Sequence, residues 1–231
     1  MVSQLYRTIP IRANLTPEEI AFWVDQCKHA NSLVNSAIYY IRQTHYSKLE
    51  QSENAFTIYW RGDELRYGWK TYKCNTTYPE LCYILKDKPH YKALAAQAAQ
   101  QTLKSVGESI TSYNRLVNLY YKGEVDRPSL PKYRKRGGLS AVRFPRQALT
   151  YRDGCFYPSI SKETKPELIT EIKLPLPDFI DCEWVKEVTV RPCYGEFWID
   201  WLIDDGRQPI EATLILITVK RGGLTTVRVI G

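Results

Sequence analysis

Apolar and polar residues alternate roughly one for one over Gln4–Ala13, and this spacing predicts a short strand in which Pro10 marks an edge or a bulge. A helix must begin directly after it. Thr16 suits the N-cap, Pro17 the first helical position, and Glu19 completes a capping box. Ile20, Trp23, Val24, Cys27, Val34, Ile38 and Ile41 then recur at helical spacing to about Tyr46. Residues 47–90 are rich in Tyr and Trp and hold no sustained period; short helices are predicted around Gly62–Trp69 and Tyr78–Leu85. A second long helix is expected from about Lys92 to Tyr121. Its alanines give it high propensity, and Ala99, Leu103, Val106, Ile110, Tyr113, Val117 and Tyr120 form one stripe. Gly107 is an isolated weak point in it, and Gly123 is placed to cap its end.

After Leu139 the period switches to two. Ala141–Phe144, Cys155–Ile160, Glu171–Leu174, Val185–Arg191 and Glu196–Ile203 are predicted strands, separated by Arg-Asp-Gly, Pro-Leu-Pro-Asp and Cys-Tyr-Gly-Glu turns. The last two form a hairpin with Phe197, Ile199 and Trp201 facing one way. The expected class is α+β: a small β-barrel or sheet whose chain is interrupted, after its first strand, by a helical bundle. Residues 1–14 and 123–209 would make the β part, 15–122 the helical insertion, and 210–231 an atypical tail.

Charge sharpens this picture because it is unevenly spread. The window from Arg115 to Arg152 holds ten cations against Glu124 and Asp126, leaving 22 basic and 23 acidic residues for the remainder of the chain. All the excess positive charge therefore sits in one place. Residues 127–146 contain seven cations, three prolines and no carboxylate. Lys132, Arg134, Lys135, Arg136, Arg143 and Arg146 are long donors of the kind that track a phosphate backbone, and an Arg can grip two phosphate oxygens at once. Tyr133 is available to stack on a base, while Gly137 and Gly138 allow close backbone approach. A solvated loop would normally mix both signs of charge. The strip points to a nucleic acid, RNA or DNA, whose counterions it would release.

Other chemistry is scarce. Six cysteines are scattered with no C-x-x-C pair, which argues against a zinc site or a small disulfide scaffold. The N-terminal residues lack a signal-peptide apolar region and no run approaches the ~20 apolar residues of a membrane span, so a cytoplasmic protein with reduced thiols is expected and no membrane partner. His29, His45 and His90 stand apart along the chain, the first two on the first helix. No phosphate-binding loop, nucleophile elbow or dinucleotide loop occurs. Asp204 and Asp205 end the hairpin as turn carboxylates. Neither catalytic nor metal-ligating residues can be assigned.

The strip lies between a long helix and a strand, and residues 79–146 resemble the central region of the TnpB, or OrfB, proteins of insertion sequences. The matching pieces are Pro79-Glu80-Leu81, Ala95-Ala-Gln-Ala-Ala-Gln-Gln-Thr-Leu103, Tyr120-Tyr121-Lys122, Pro131-Lys-Tyr-Arg-Lys-Arg136 and Ser140-Ala-Val-Arg-Phe144. Their order and spacing carry the resemblance, and with the first strand, capped helix and final hairpin it extends over about residues 4–205. It implies a relative of transposon-encoded RNA-guided DNA endonucleases. The β part would be similar to their wedge domain and the helical insertion to their recognition lobe, with Lys132, Arg134, Lys135 and Arg136 on nucleic-acid backbone. Guide RNA and DNA would then be the partners.

That family cuts with a RuvC-like domain, in which three carboxylates hold two divalent metals such as Mg2+. The family's apolar-Asp-x-Gly strand does not follow Gly206, and Glu211 is the one acid beyond that point. The resemblance therefore implies a binding portion without its nuclease, and no cofactor in this chain. The tail from Ile210 to Ile230 has no family counterpart, as a shifted reading frame near residue 210 would produce, and would expose Leu214–Ile217 as an aggregation risk. Two other expectations stand beside this one. One is a self-contained RNA- or DNA-binding regulatory module that does not cleave; the other is a metal-dependent nuclease using some different site.

Overall fold

A computed structural model describes residues 6–52, 56–164 and 171–206, together with the backbone of 217–221 and 224–228. The first strand, β1 (Arg7–Arg12), leads into α1 (Pro17–Glu50) through the capping box expected at Thr16. The Thr16 hydroxyl accepts from the Glu19 amide at 3.3 Å, and the Glu19 carboxylate accepts from the Thr16 amide at 2.9 Å. Two orphan donors are thereby satisfied, and Pro17 fixes the first turn. Phe22, Trp23, Cys27, Ala30, Val34, Ala37, Ile38 and Ile41 form the buried side of α1. Ile20, expected on that stripe, is instead 41% exposed, one turn before the helix meets the core.

Residues 56–69 correct the expectation of a short helix at Gly62–Trp69. They form a hairpin of β2 (Phe56–Arg61) and β3 (Glu64–Trp69), turning at Gly62, whose φ of 56° suits glycine. The alternation is period two, but large side chains occupy both faces and disguise it. The hairpin turn packs on the end of the second long helix, where the Gly62 amide donates to the Tyr121 carbonyl at 2.8 Å. α2 (Tyr78–Leu85) forms where expected, begun by a second capping box between Thr77 and Glu80.

A single turn, α3 (Pro89–Lys92), precedes α4 (Ala96–Tyr121), so the second long helix starts four residues later than Lys92. Its whole predicted stripe from Ala99 to Tyr120 is buried. Gly107 acquires a reason: a Cβ there would meet the Tyr78 Cβ at 3.2 Å, so glycine allows α2 and α4 to approach. At the far end the Gly123 amide donates to the Tyr120 carbonyl and the Glu124 amide to the Leu119 carbonyl, a Schellman closure with Gly123 at φ 84°.

The remaining strands are β4 (Val142–Pro145), β5 (Leu149–Arg152), β6 (Cys155–Pro158), β7 (Leu174–Pro175), β8 (Val185–Cys193) and β9 (Glu196–Ile203). They make two open antiparallel sheets, β1-β9-β8-β4 and β5-β6-β7, not a closed barrel. Pro10 sits on edge strand β1, where a missing donor costs least. β8 and β9 form the expected hairpin through Tyr194 and Gly195, both at positive φ. Phe197, Ile199 and Trp201 face the core together. A 3₁₀ turn, Arg146–Ala148, and β5 were not foreseen.

One hydrophobic core joins the helices to the four-stranded sheet. Trp23 of α1 meets Phe144 of β4 edge to face at 6.0 Å, while Leu33 and Ile41 sit in the same core as Leu103 and Val106 of α4. The fold is thus α+β with its helices following the first strand. All six cysteines are free thiols, and burial pushes the Cys27 thiol up to about 12. Among the described residues no helix is long and apolar enough to cross a membrane. In the tail, 207–216, with Leu214–Leu216 of the aggregation-prone run, lie outside the described residues. Beyond them β10 (Ile217–Arg221) and β11 (Leu224–Arg228) pair antiparallel with each other.

Candidate nucleic-acid interface

The basic strip leaves α4 and crosses α1 before entering β4. It is anchored at both ends by buried side chains, Leu130 and Ser140. Between these anchors α1 holds the strip by its backbone rather than by its cations. The Asn35 amide spans Arg134 in both directions: Nδ2 donates to the Arg134 carbonyl at 3.2 Å and Oδ1 accepts from the Arg134 amide at 2.8 Å. One turn earlier, Asn31 donates to the Lys135 carbonyl at 3.0 Å and accepts from the Ser140 hydroxyl at 3.0 Å. Arg42 adds a fork, its Nε and Nη2 donating to the Pro131 carbonyl at 3.1 and 2.9 Å. Side chains of one helix thus satisfy backbone groups that an irregular segment would otherwise leave to water.

A tight turn completes the loop. The Gly138 amide donates to the Lys135 carbonyl at 3.0 Å, with Gly137 at φ 69°. A Cβ on Gly138 would meet that same carbonyl at 3.0 Å, so the close approach expected of the two glycines is made by Gly138 alone, to the strip's own backbone and to Asn31, while Gly137 has open space and serves the turn by its φ. With its backbone fixed, the strip turns its side chains outward. Lys132, Tyr133, Arg134, Lys135 and Arg136 are all exposed, as is Arg143, which alternates outward between buried Val142 and Phe144 on β4. None of these cations pairs with a carboxylate among the described residues.

Charge is therefore concentrated and uncompensated. Arg134 shows the consequence: partial desolvation and, after it, the neighbouring charge of Arg143 lower its pKa, although a guanidinium remains protonated. Its Nη1 also donates to the Ser140 hydroxyl, which aims the group along the loop. An anion lying between Arg134 and Arg143 would relieve their repulsion. Tyr133 is 49% exposed and has the Arg42 guanidinium over its ring at 5.3 Å, so a cation already covers part of the aromatic surface. Arg146 is placed differently from the rest. Its Nη1 donates to the Leu149 carbonyl at 3.0 Å and its guanidinium lies 5.2 Å over Phe156, engagements that tie it to β5 and β6.

Asn31, Asn35 and Arg42 were not foreseen as part of the site. Their spacing along α1 puts them on one polar stripe, but nothing in the local sequence says that a loop some hundred residues later lies on it. The carboxylates after the last hairpin are committed elsewhere: Asp205 bonds Arg7, and Asp204 lies 4.0 Å from Lys186 and accepts from the Gly206 amide at 3.3 Å. Among the described residues no group of three or more His, Cys, Asp or Glu side chains converges to hold a metal ion. Among the described residues, then, no set of donors offers the three carboxylates that paired Mg2+ ions of the resembled family would need.

The histidines, isolated along the sequence, are not all isolated in space. Nδ1 of His29 lies 3.1 Å from Nδ1 of His90, so one ring donates and the other accepts, and Asp25 stands 3.5 Å from the other nitrogen of His29. Desolvation and then the His29 charge hold His90 below its ordinary pKa; desolvation and then Lys48 do the same for His45. Groups with depressed folded pKa values stabilise the fold in their neutral forms. Their contribution is complete above the unfolded value of about 6.5 and is lost as pH falls from there through the lower folded values. The melting temperature is expected to drop between pH 7 and pH 5, and His90→Gln to flatten that dependence; an unchanged slope in the variant would place the acid sensitivity elsewhere.

No protein-family model matches the chain, and no curated protein matches it.

Proposed function

We propose that this chain binds the sugar–phosphate backbone of RNA or DNA through the strip from Lys132 to Arg136, with Arg143 beside it, and holds its partner without cutting it. One observation carries the proposal: four consecutive outward-facing residues with cationic or aromatic heads, Arg136 after them, stand on a loop whose backbone is clamped to α1 by Asn31, Asn35 and Arg42. A loop that served only solubility would need no such clamp. Preorganisation of this kind lowers the entropy lost when a phosphate chain is bound.

The order of motifs from Pro79 to Phe144 supports a more specific reading, in which the chain is the RNA-gripping portion of a TnpB-like transposon protein. Guide RNA and DNA are then its partners. A self-contained RNA- or DNA-binding regulatory module is the second reading, favoured by the single core that joins α1 and α4 to β4, β8 and β9.

Equilibrium binding of a structured RNA and of a DNA duplex of equal length, measured at several salt concentrations, tests the proposal. Five phosphate contacts predict a slope of log K against log salt of roughly −4 to −5. A flat salt dependence, or no binding at low salt, would overturn it. Cleavage of either ligand in the presence of Mg2+ would restore the nuclease reading.

A further inference from the structure

The β2–β3 hairpin carries the most exposed apolar surface among the described residues. In its register Phe56 faces Trp69, Ile58 faces Tyr67 and Trp60 faces Leu65, so all six large side chains share one side. Each is exposed, Trp60 to 63% and Tyr67 to 73%. The opposite side is the one that packs. Tyr59 hydrogen-bonds Tyr120 through their hydroxyls at 2.8 Å, and Arg61 lies over the Tyr120 ring at 5.0 Å while donating to the Val125 carbonyl. The chain has therefore turned its more apolar face to solvent. Apolar surfaces of this kind on a folded chain mark interaction sites.

Where the hairpin opens, this face runs into the start of the basic strip. Phe56 and Trp69 border an open cleft of about 640 Å³ with Tyr46, Lys70 and Arg127. A second cleft shares Tyr46, Lys70 and Arg127 and continues to Arg42 and Leu130, where the strip crosses α1. Arg127 is fixed in this junction by donating from Nε to the Thr71 hydroxyl at 2.9 Å. The carboxylates of the hairpin, Asp63 and Glu64, lie at its turn, about 17 Å away at 3.4 Å per residue. The end that meets the strip therefore carries two cations, Lys70 and Arg127, against one carboxylate, Glu50, in the same cleft.

We infer that the outer face of β2–β3 is a stacking platform for the bases of a single-stranded nucleic acid whose phosphates run on to Lys70, Arg127 and the strip. The inference rests on the proposal that the strip binds a phosphate backbone. Aromatic side chains beside a cationic groove are how sequence-tolerant single-strand binders work, because every base has a π-face. Successive cross-strand pairs on one face are ~6.8 Å apart, twice the strand rise. That distance is twice the ~3.4 Å step of a duplex strand, so the face suits an extended strand rather than a stacked helix. A second copy of this chain fits less well. Lys70, Arg127 and the basic strip, which continue from this face, favour a polyanion over an apolar self-contact.

The test compares a single-stranded oligonucleotide of about twelve nucleotides with a duplex of the same length, on the full chain and on variants. Trp60→Ala with Tyr67→Ala is expected to weaken single-strand binding at least fivefold, to leave duplex binding and the single-strand salt slope unchanged, and to leave the circular dichroism of the fold intact. Trp60→Phe, which keeps a ring, should recover most of its share. Equal loss on both ligands, or no loss on the single strand, overturns the platform while leaving the strip's role standing. Absence of salt-dependent binding by the unaltered chain fails the strip itself, and the platform with it. A dimer of the unaltered chain in sedimentation that the double variant dissociates, with single-strand binding unchanged, assigns the face to a second copy and also overturns the inference.

Discussion

Replacing Lys132, Arg134, Lys135 and Arg136 together by alanine is expected to weaken RNA binding by on the order of 10³-fold at ~0.1 M salt, and to make the salt slope shallower by about 3 units. The size follows from counterion release: four lost phosphate contacts remove their share of the exponent, and the effect grows as salt is lowered. Fold stability should change little. These side chains are exposed, form no ion pair among the described residues, and leave the backbone bonds to Asn31, Asn35 and Arg42 in place. Only Arg134 gives up an internal bond, to Ser140, which keeps its partner Asn31. Lys104→Ala with Lys173→Ala provides the contrast, since both are exposed cations outside the strip. Equal losses in the two variants would show that net charge, not the strip, holds the ligand, and an unaltered slope in the first would end the proposal.

Such a contrast is worth making because the strip was legible in the sequence while its support was not. Six cations and a tyrosine between two regular elements can be read from composition alone. So can the local signals: Thr16-Pro17 with Glu19, the stripe of α4, and the alternation of β8 and β9 all depend on neighbours within a few residues. What holds the strip is long-range. Asn35 and Arg134 are 99 residues apart, and an asparagine on a helix reads as a solvent-facing residue until the partner is seen.

The β2–β3 hairpin failed for the opposite reason. Its period of two is present, but sequence patterning assumes that the more apolar face points inward. Here Tyr59 and Arg61 point to α4, and Phe56, Ile58, Trp60, Leu65, Tyr67 and Trp69 point out. A rule that buries apolar faces finds no consistent inside, and helix becomes the default. Departures of this kind concentrate where a surface is kept for a partner. β5 was missed on simpler grounds, because four residues with one buried position give no period to measure.

Trp201→Ala should be the most destabilising single change in the β part, at about 3–5 kcal/mol, set against the roughly 5–15 kcal/mol that holds a typical domain together. Trp201 lies on β9, flanked by β1 and β8, is fully buried, and meets Phe156 of the three-stranded sheet at 5.8 Å, so it joins two sheets as well as filling one. In urea the midpoint should fall by about a fifth or more with the slope unchanged. Trp201→Phe separates volume from polarity. The indole Nε1 has no hydrogen-bond partner among the described residues, and leaving such a donor buried costs about 1–3 kcal/mol. Phenylalanine removes that donor and leaves a smaller cavity than alanine does, so the two terms oppose each other and the variant should lose far less stability. Because β4 follows the strip directly and lies in the same sheet as β9, the alanine variant should also lose nucleic-acid binding at temperatures where the phenylalanine variant keeps it. Retention of full binding by a chain whose β core has melted would mean that α1 alone presents the strip.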